Sequence, residues 1–345
     1  MTDAAGLTTD VKLCPTGFGD GERLAGGSVR FALFRLTVGG DLRIVPVDRL
    51  AGHIDDLPAE SRARILLLRD RLLAARPPIA GIDFARPHVM GILNVTPDSF
   101  SDGGRNNDPV AAARAMAAAG ASLIDVGGES TRPRAPTVDL DEELTRVRPL
   151  LEAIAGDGLT LSIDTRKAEV MRVAVGTGVA IVNDVSALLH DPAALPFVAA
   201  SGCPVVLMHA AGTPQTMQDA PVYGDVVGEV FAWLEARIDA CVAAGVARER
   251  IIVDPGIGFG KTVAHNLALL RDLALFHGLG CPILLGVSRK TMIGRLSNDA
   301  AVGDRLGGSL ALAVHGFGQG VQIVRVHDVA ATVQAMRLWS AVQRH

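Results

Sequence analysis

HVMGILNVTPDSFSDGG, residues 88–104, begins as an apolar run of strand length and turns at Asn94 into Asn, Thr, Pro, Asp, Ser and Gly. The apolar part lacks the alternation of a half-exposed strand, as expected of a strand covered on both faces. The polar part begins where such a strand must end, and its turn-forming residues build a loop.

The pattern recurs downstream. SLIDVG (122–127), TLSID (160–164), AIVND (180–184), PVVLMH (204–209), IIVD (251–254), PILLGVS (282–288) and VQIVRV (321–326) are each apolar runs separated by polar or Gly-rich turns and Ala-rich stretches of helical length. Such alternation predicts parallel βα units. Eight runs within about 240 residues fit an α/β protein with a closed (β/α)8 TIM barrel. An open doubly wound sheet is the alternative, because periodicity alone cannot close a barrel.

The whole chain, 345 residues, has room for such a barrel and a small appendage. It is 49% hydrophobic and 20% charged, with a net charge of -4, so a broad nucleic-acid face is not expected. Cys14, Cys203, Cys241 and Cys281 are widely spaced and form no CxxC pair, which suggests neither a zinc site nor a disulfide framework. No signal-like N-terminus or long apolar span occurs, so the expectation is a cytoplasmic protein without a membrane partner.

A barrel places its chemistry where strands end. Those ends carry Asn94, Asp125, Asp164, Asn183 with Asp184, Met208 with His209, Asp254, Ser288 to Lys290, and Arg325 with His327. A single Asp there is commonly a helix cap, and a single His a satisfied core residue. A polar group at every end reads instead as a ligand site.

The ring has two halves. Asp125, Asp164, Asn183 and Asp254 offer acceptors suited to a flat heterocycle with amide and amino edges. Arg325 and His327, two apart in a strand, point the same way. Closure would bring them beside Asn94 and its loop, giving an anion site for a phosphate, with room for a divalent metal on oxygen ligands.

MGILNVTPDSFSDGG, IDVGGESTRP, SIDT, VNDV, LMH, DPGIGFGK, GVSRK and IVRVHDV, in this order from about residue 86 to 345, resemble the dihydropteroate synthases, folate-pathway enzymes that join p-aminobenzoate to a pterin. The resemblance implies a pterin pocket of Asp125, Asp164, Asn183, Met208, Asp254 and Lys290. It implies a diphosphate site of Asn94, Arg132, Arg325 and His327, with Asn94 as a ligand of Mg2+. It assigns to p-aminobenzoate Phe100, Thr131 and Pro133, on loops 96–107 and 128–137 that close over substrates, alongside Phe259 and Ser288.

The implied reaction is substitution at the pterin methylene, with diphosphate leaving first and Asp98 or Asp102 favouring the resulting cation. The family's homodimer is expected too, through the Ala- and Leu-rich stretches 303–320 and 331–345. A pterin-binding methyltransferase acting on methyltetrahydrofolate and a non-catalytic pterin-binding barrel are the alternatives; the former would need neither Arg325 nor His327.

Other readings are structural. DPGIGFGK lacks the spacing of a phosphate loop and reads as a backbone turn that brings Asp254 and Phe259 to the ligand, with Lys261 structural. Lys290 suits either charge neutralisation or a phosphate contact, and Arg289 suits a structural role. Residues 1–85 depart from the family: SVRFALFRLTV and DLRIVPV read as a β-hairpin, and SRARILLLRDRLLAAR (61–76) as an amphipathic helix. PPIAG then reads as a linker to residues 86–345. Arg62, Arg64, Arg69, Arg71 and Arg76 read as a solvated helix face.

Overall fold

The computed structural model describes residues 11–95, 108–130, 137–212 and 221–343. Its central sheet has eight parallel strands: β4 (His88–Asn94), β5 (Leu123–Gly127), β6 (Leu161–Asp164), β7 (Ile181–Asp184), β8 (Val205–Met208), β9 (Ile251–Asp254), β10 (Leu284–Leu285) and β11 (Ile323–Val326). Their order is β10-β11-β4-β5-β6-β7-β8-β9. A parallel bridge between Val253 and Ile283, with Val253 N donating to Pro282 O at 2.9 Å, joins the two ends. The sheet is therefore a barrel, and the open doubly wound arrangement is excluded.

Helices cover the outside: α2 (Pro109–Ala118), α3 (Leu140–Ile154), α4 (Ala168–Gly176), α5 (Ala194–Ser201), α6 (Val226–Ala243), α7 (Val263–Arg271), α8 (Thr291–Leu296), α9 (Leu306–Gly318) and α10 (Val329–Val342). Asp108, Asp139, Asp225 and Thr262 cap four of them through side-chain oxygens, satisfying N–H groups that a helix start leaves unpaired. Among the described residues no helix is long and apolar enough to cross a membrane.

Inside the barrel, Met90, Leu123, Ile181, Val206, Ile252, Leu284 and Ile323 pack with Ile79, Ile82 and Phe84. Most of these strand residues lie in the N-terminal halves of their strands, so residues 79–84 plug that end. The stretch read as a linker is thus packed structure. The C-terminal ends are left for the polar ring.

The N-terminal residues form a three-stranded antiparallel sheet, β1 (Val11–Arg23), β2 (Arg30–Val38) and β3 (Asp41–Pro46), followed by α1 (Ala59–Leu73). The hairpin expected from sequence is β2 and β3. β1 was not visible, because VKLCPTGFGDGER carries Pro and three Gly, the usual marks of a turn. The glycines fit a bulge: the register shifts between Phe18 and Glu22, and a Cβ at Gly21 (φ +98) would lie 2.3 Å from Phe31 O.

α1 buries Ile65, Leu68 and Leu72, at about 1.5–3 kcal/mol each, and packs on β1 and on residues 273–279. The solvated-face reading of the five arginines between Arg62 and Arg76 fails for three. Arg64 forks onto Glu235 of α6 at 2.8 and 2.6 Å, and Arg71 reaches the same carboxylate at 2.8 Å. Arg76 is buried and donates to the carbonyls of Arg71, Ala74 and His277. Arg62 bonds the carbonyls of Asp55 and Leu57, and Arg69 its neighbour Asp70.

Candidate active site

A cavity of about 730 Å3 opens at the C-terminal end of the barrel, lined among others by Asn94, Asp164, Asn183, Met208, Asp254, Phe259, Ser288, Lys290, Arg325 and His327. Side chains predicted from seven different strand ends, as far as 233 positions apart, therefore share one space. β11 pairs with β4, which seats Arg325 beside the strand of Asn94, as closure of the barrel requires.

The two halves of the ring are joined by Arg325. Its Nε donates to Asp125 Oδ2 at 2.6 Å and one terminal nitrogen donates to Asp164 Oδ2 at 2.7 Å. Asn183 Nδ2 donates to the same Asp125 oxygen at 2.9 Å. Asp125 lies in the middle of β5 rather than at its end, is fully buried and does not line the cavity. It anchors Arg325 and Asn183 from beneath.

Asp125 Oδ1 and Asp164 Oδ1 are buried and have no hydrogen-bond partner among the described residues. A buried carboxylate oxygen left so is costly, and a donor ligand would relieve it. Burial pushes Asp164 up to about 7, outweighing the attraction of Arg325. Burial raises Asp254 too, although its Oδ1 accepts from Gly256 N at 2.7 Å. In the acceptor wall Asp164 thus holds a carboxyl poised to exchange its proton near neutrality.

On the opposite side, the Lys290 ammonium stands 4.0 Å from the centre of the Phe259 ring, an attraction of about 0.5–2 kcal/mol depending on solvation. Ser288 Oγ lies 3.0 Å from His327 Nδ1 and accepts from His327 N at 3.2 Å, tying the ends of β10 and β11 together. Arg289 is committed elsewhere: it forks onto Asp328 at 3.0 and 2.6 Å, in keeping with a structural role. Asp184 is likewise structural, accepting from Ser186 and Leu188 in the turn after β7.

His209, also at a strand end, is buried against Trp233 and Tyr223 and does not line the cavity. Burial, followed by the charge of Lys261, pushes it down to about 3. Phe100, Asp98, Asp102, Thr131, Arg132 and Pro133 lie outside the described residues.

Sequence reasoning missed several features. Thr291, Arg295 and Arg305 also line the cavity, and of these only Thr291 had a local signal, as the residue after SRK. At the stem of the loop after β5, Glu129 accepts from Arg166 at 2.6 Å and Lys167 at 2.9 Å, and Lys167 also pairs with the buried Glu143. That cluster spans three elements, so spacing along the chain could not reveal it.

For magnesium, Asn94 supplies one neutral amide oxygen to the cavity wall, and among the described residues no three His, Cys, Asp or Glu side chains group to hold a metal. Such a donor set suits an ion that arrives on substrate phosphates and keeps its waters.

Residues 90–327 match the family described as pterin binding enzyme. The chain is 52% identical over 264 residues to the dihydropteroate synthase of Escherichia coli (strain K12), covering 75% of this chain and 93% of that protein. The chain belongs to the dihydropteroate synthase family. Two solved dihydropteroate synthases from Xanthomonas albilineans share its fold. The one with 4-aminobenzoic acid matches at TM-score 0.72 and 48% identity, over 77% of this chain and 97% of that one. The one in complex with 7,8-dihydropteroate matches at TM-score 0.69 and 45% identity, over 76% and 95%. Within this synthase family the chain is a transferase, and its β1–β3 sheet and α1 precede the matched span.

Proposed function

We propose that the cavity condenses p-aminobenzoate with 6-hydroxymethyl-7,8-dihydropterin diphosphate to give 7,8-dihydropteroate and diphosphate. One observation carries the reading: Asp164, whose buried Oδ1 has no partner among the described residues, lines with Asp254 and Asn183 the same space as Arg325, His327 and Asn94. The first group suits the N–H edges of a pterin, and the second suits an anion. The Xanthomonas albilineans relatives hold the arylamine and the product that this reading gives to the cavity.

The carbon–oxygen bond of the pterin methylene breaks first, and its electron pair leaves on the diphosphate. The arylamine lone pair then forms the new carbon–nitrogen bond, and the nitrogen sheds its proton. The amine is already neutral at pH 7, so no strong base is needed. The protein's work is positioning and electrostatic stabilisation. Arg325 and His327 meet the growing negative charge, while Asp164, Asn183, Asp254 and Lys290 hold the ring. Phe259 and Ser288 form the arylamine wall. Magnesium, when bound, neutralises part of the diphosphate charge, with Asn94 as its ligand from the chain.

A homodimer through α9 and α10 completes the proposal. Leu306, Leu338 and Val342 are 40, 66 and 73% exposed there, apolar area that a second copy would bury. Light scattering of the wild type and of Leu338→Glu should give a dimer and a monomer; a monomeric wild type removes this part.

The activity itself is tested by diphosphate release from the pterin diphosphate and magnesium, with and without p-aminobenzoate. Release that depends on p-aminobenzoate and yields dihydropteroate is expected. Tight pterin binding without product would favour a methyltransferase or a binding protein.

A further inference from the structure

Lys261 is a buried cation that the reaction above leaves without a part. Its ammonium is shared among four acceptors from two strand-end segments. His209 Nδ1 lies at 2.9 Å and His209 O at 3.3 Å, on the segment after β8. Gly256 O lies at 2.9 Å and Phe259 O at 3.0 Å, on the turn after β9. Three N–H groups thus serve more acceptors than they number, a geometry an ammonium meets and a neutral amine meets less well.

The turn it grips is pressed hard against the β8 side. A Cβ at Gly256 (φ +69) would lie 1.8 Å from His209 O, and one at Gly260 would lie 2.7 Å from Ala211 Cβ. His209 N donates to Asp254 O at 3.0 Å, and Tyr223 donates its hydroxyl proton to Gly260 O at 3.0 Å. Asp254 opens this turn and Phe259 sits two residues before Lys261, with Lys290 over the Phe259 ring.

We propose that Lys261 is a positioning residue for this reaction: its ammonium holds turn 254–261 against the end of β8 and so sets where Asp254 and Phe259 meet pterin and arylamine. The proposal rests on the synthase reading of the cavity. It assigns Lys261 no contact with the reacting atoms.

The groups facing the ammonium make its hold depend on pH. His209 stays neutral, being pushed down to about 3. Asp254 attracts the charge and Lys290 opposes it, while burial, the largest influence, pushes Lys261 down to about 7. Tyr223, on the far side of Gly260, is raised by burial and stays protonated near neutrality. Above that pH Lys261 loses one of its three donors and the turn loosens.

The test measures kcat and KM for p-aminobenzoate at about pH 6.5 and about pH 8.5 for the wild type, Lys261→Met and Lys261→Arg, with melting curves for each. Expected is a wild-type KM that rises roughly threefold or more with pH. Lys261→Met should have a KM about tenfold higher at the lower pH, no further rise, and a kcat less affected. Lys261→Arg, which keeps its proton at both values, should show a flat profile and partial rescue. If Lys261→Met does not fold, the wild type and Lys261→Arg decide alone. A KM unchanged in a folded Lys261→Met, a flat wild-type profile, or an equal pH rise in Lys261→Arg overturns the proposal. A wild type that makes no dihydropteroate overturns the synthase reading instead.

Discussion

Arg325 Nε lies 2.6 Å from Asp125 Oδ2, a contact that joins β11 to β5 across the intervening β4. The arginine given to the diphosphate is thus held from beneath by a carboxylate that does not line the cavity. Asp125 orients the guanidinium, and Asp164 shares its charge.

Removing that guanidinium should do two kinds of damage. Arg325→Ala leaves two buried carboxylates without their counter-ion, a loss of about 3–5 kcal/mol when a buried pair is broken. It also withdraws charge-assisted hydrogen bonds from the diphosphate. Denaturant unfolding should report the first loss, and a fall of about 100-fold or more in kcat/KM the second. Unchanged stability in Arg325→Ala would contradict the ion pairs.

Asp164 gives a pH prediction with a definite sign. Its carboxyl is raised from an ordinary 3.8 to about 7, so the folded chain keeps a proton that the unfolded chain has lost between these values. The stability it contributes is full at low pH and is lost as pH rises through that window. Asp164→Asn removes the titration. Melting curves from about pH 5 to about pH 8 should therefore fall less steeply for the variant, and equal slopes would refute the assignment.

Glu235 is the anchor of the N-terminal segment. Glu235→Ala leaves Arg64 and Arg71 facing a partly buried site with no carboxylate, at a cost of about 3–5 kcal/mol. The segment should then be cut more readily by protease around the exposed Ala74 and Ala75, while the barrel survives. Protection equal to the wild type would mean that α1 is held by its apolar face alone.

The cluster at the stem of the loop after β5 predicts a similar penalty at another place. Lys167→Met strips the buried Glu143 of a partner and leaves Glu129 with Arg166 as its only cation among the described residues. About 3 kcal/mol of stability should go, measured by chemical denaturation. A neutral result would show that Arg166 alone carries the site.

The barrel was legible because its strands are covered on both faces and end in polar residues, a pattern written locally. PILLGVS read as a full strand, yet only Leu284 and Leu285 form β10, with Ile283 adding a single bridge to Val253. The chain then turns through Arg289 at a left-handed φ of 56, and the Asp328 fork holds that arginine. What stayed hidden depends on distance. Glu235 lies 171 positions from Arg64, and Asp125 lies 200 from Arg325, so neither pair leaves a trace in spacing. Lys261 sat in a recognised turn, but its acceptors are mostly backbone carbonyls, which sequence does not distinguish.

The most direct test of the account follows a labelled p-aminobenzoate through the wild type and Arg325→Ala, given the pterin diphosphate and magnesium, with mass spectrometry of the products. The account predicts one labelled 7,8-dihydropteroate for each diphosphate released by the wild type, and loss of both together in the variant. Diphosphate released without labelled product, or equal product from both proteins, would contradict it.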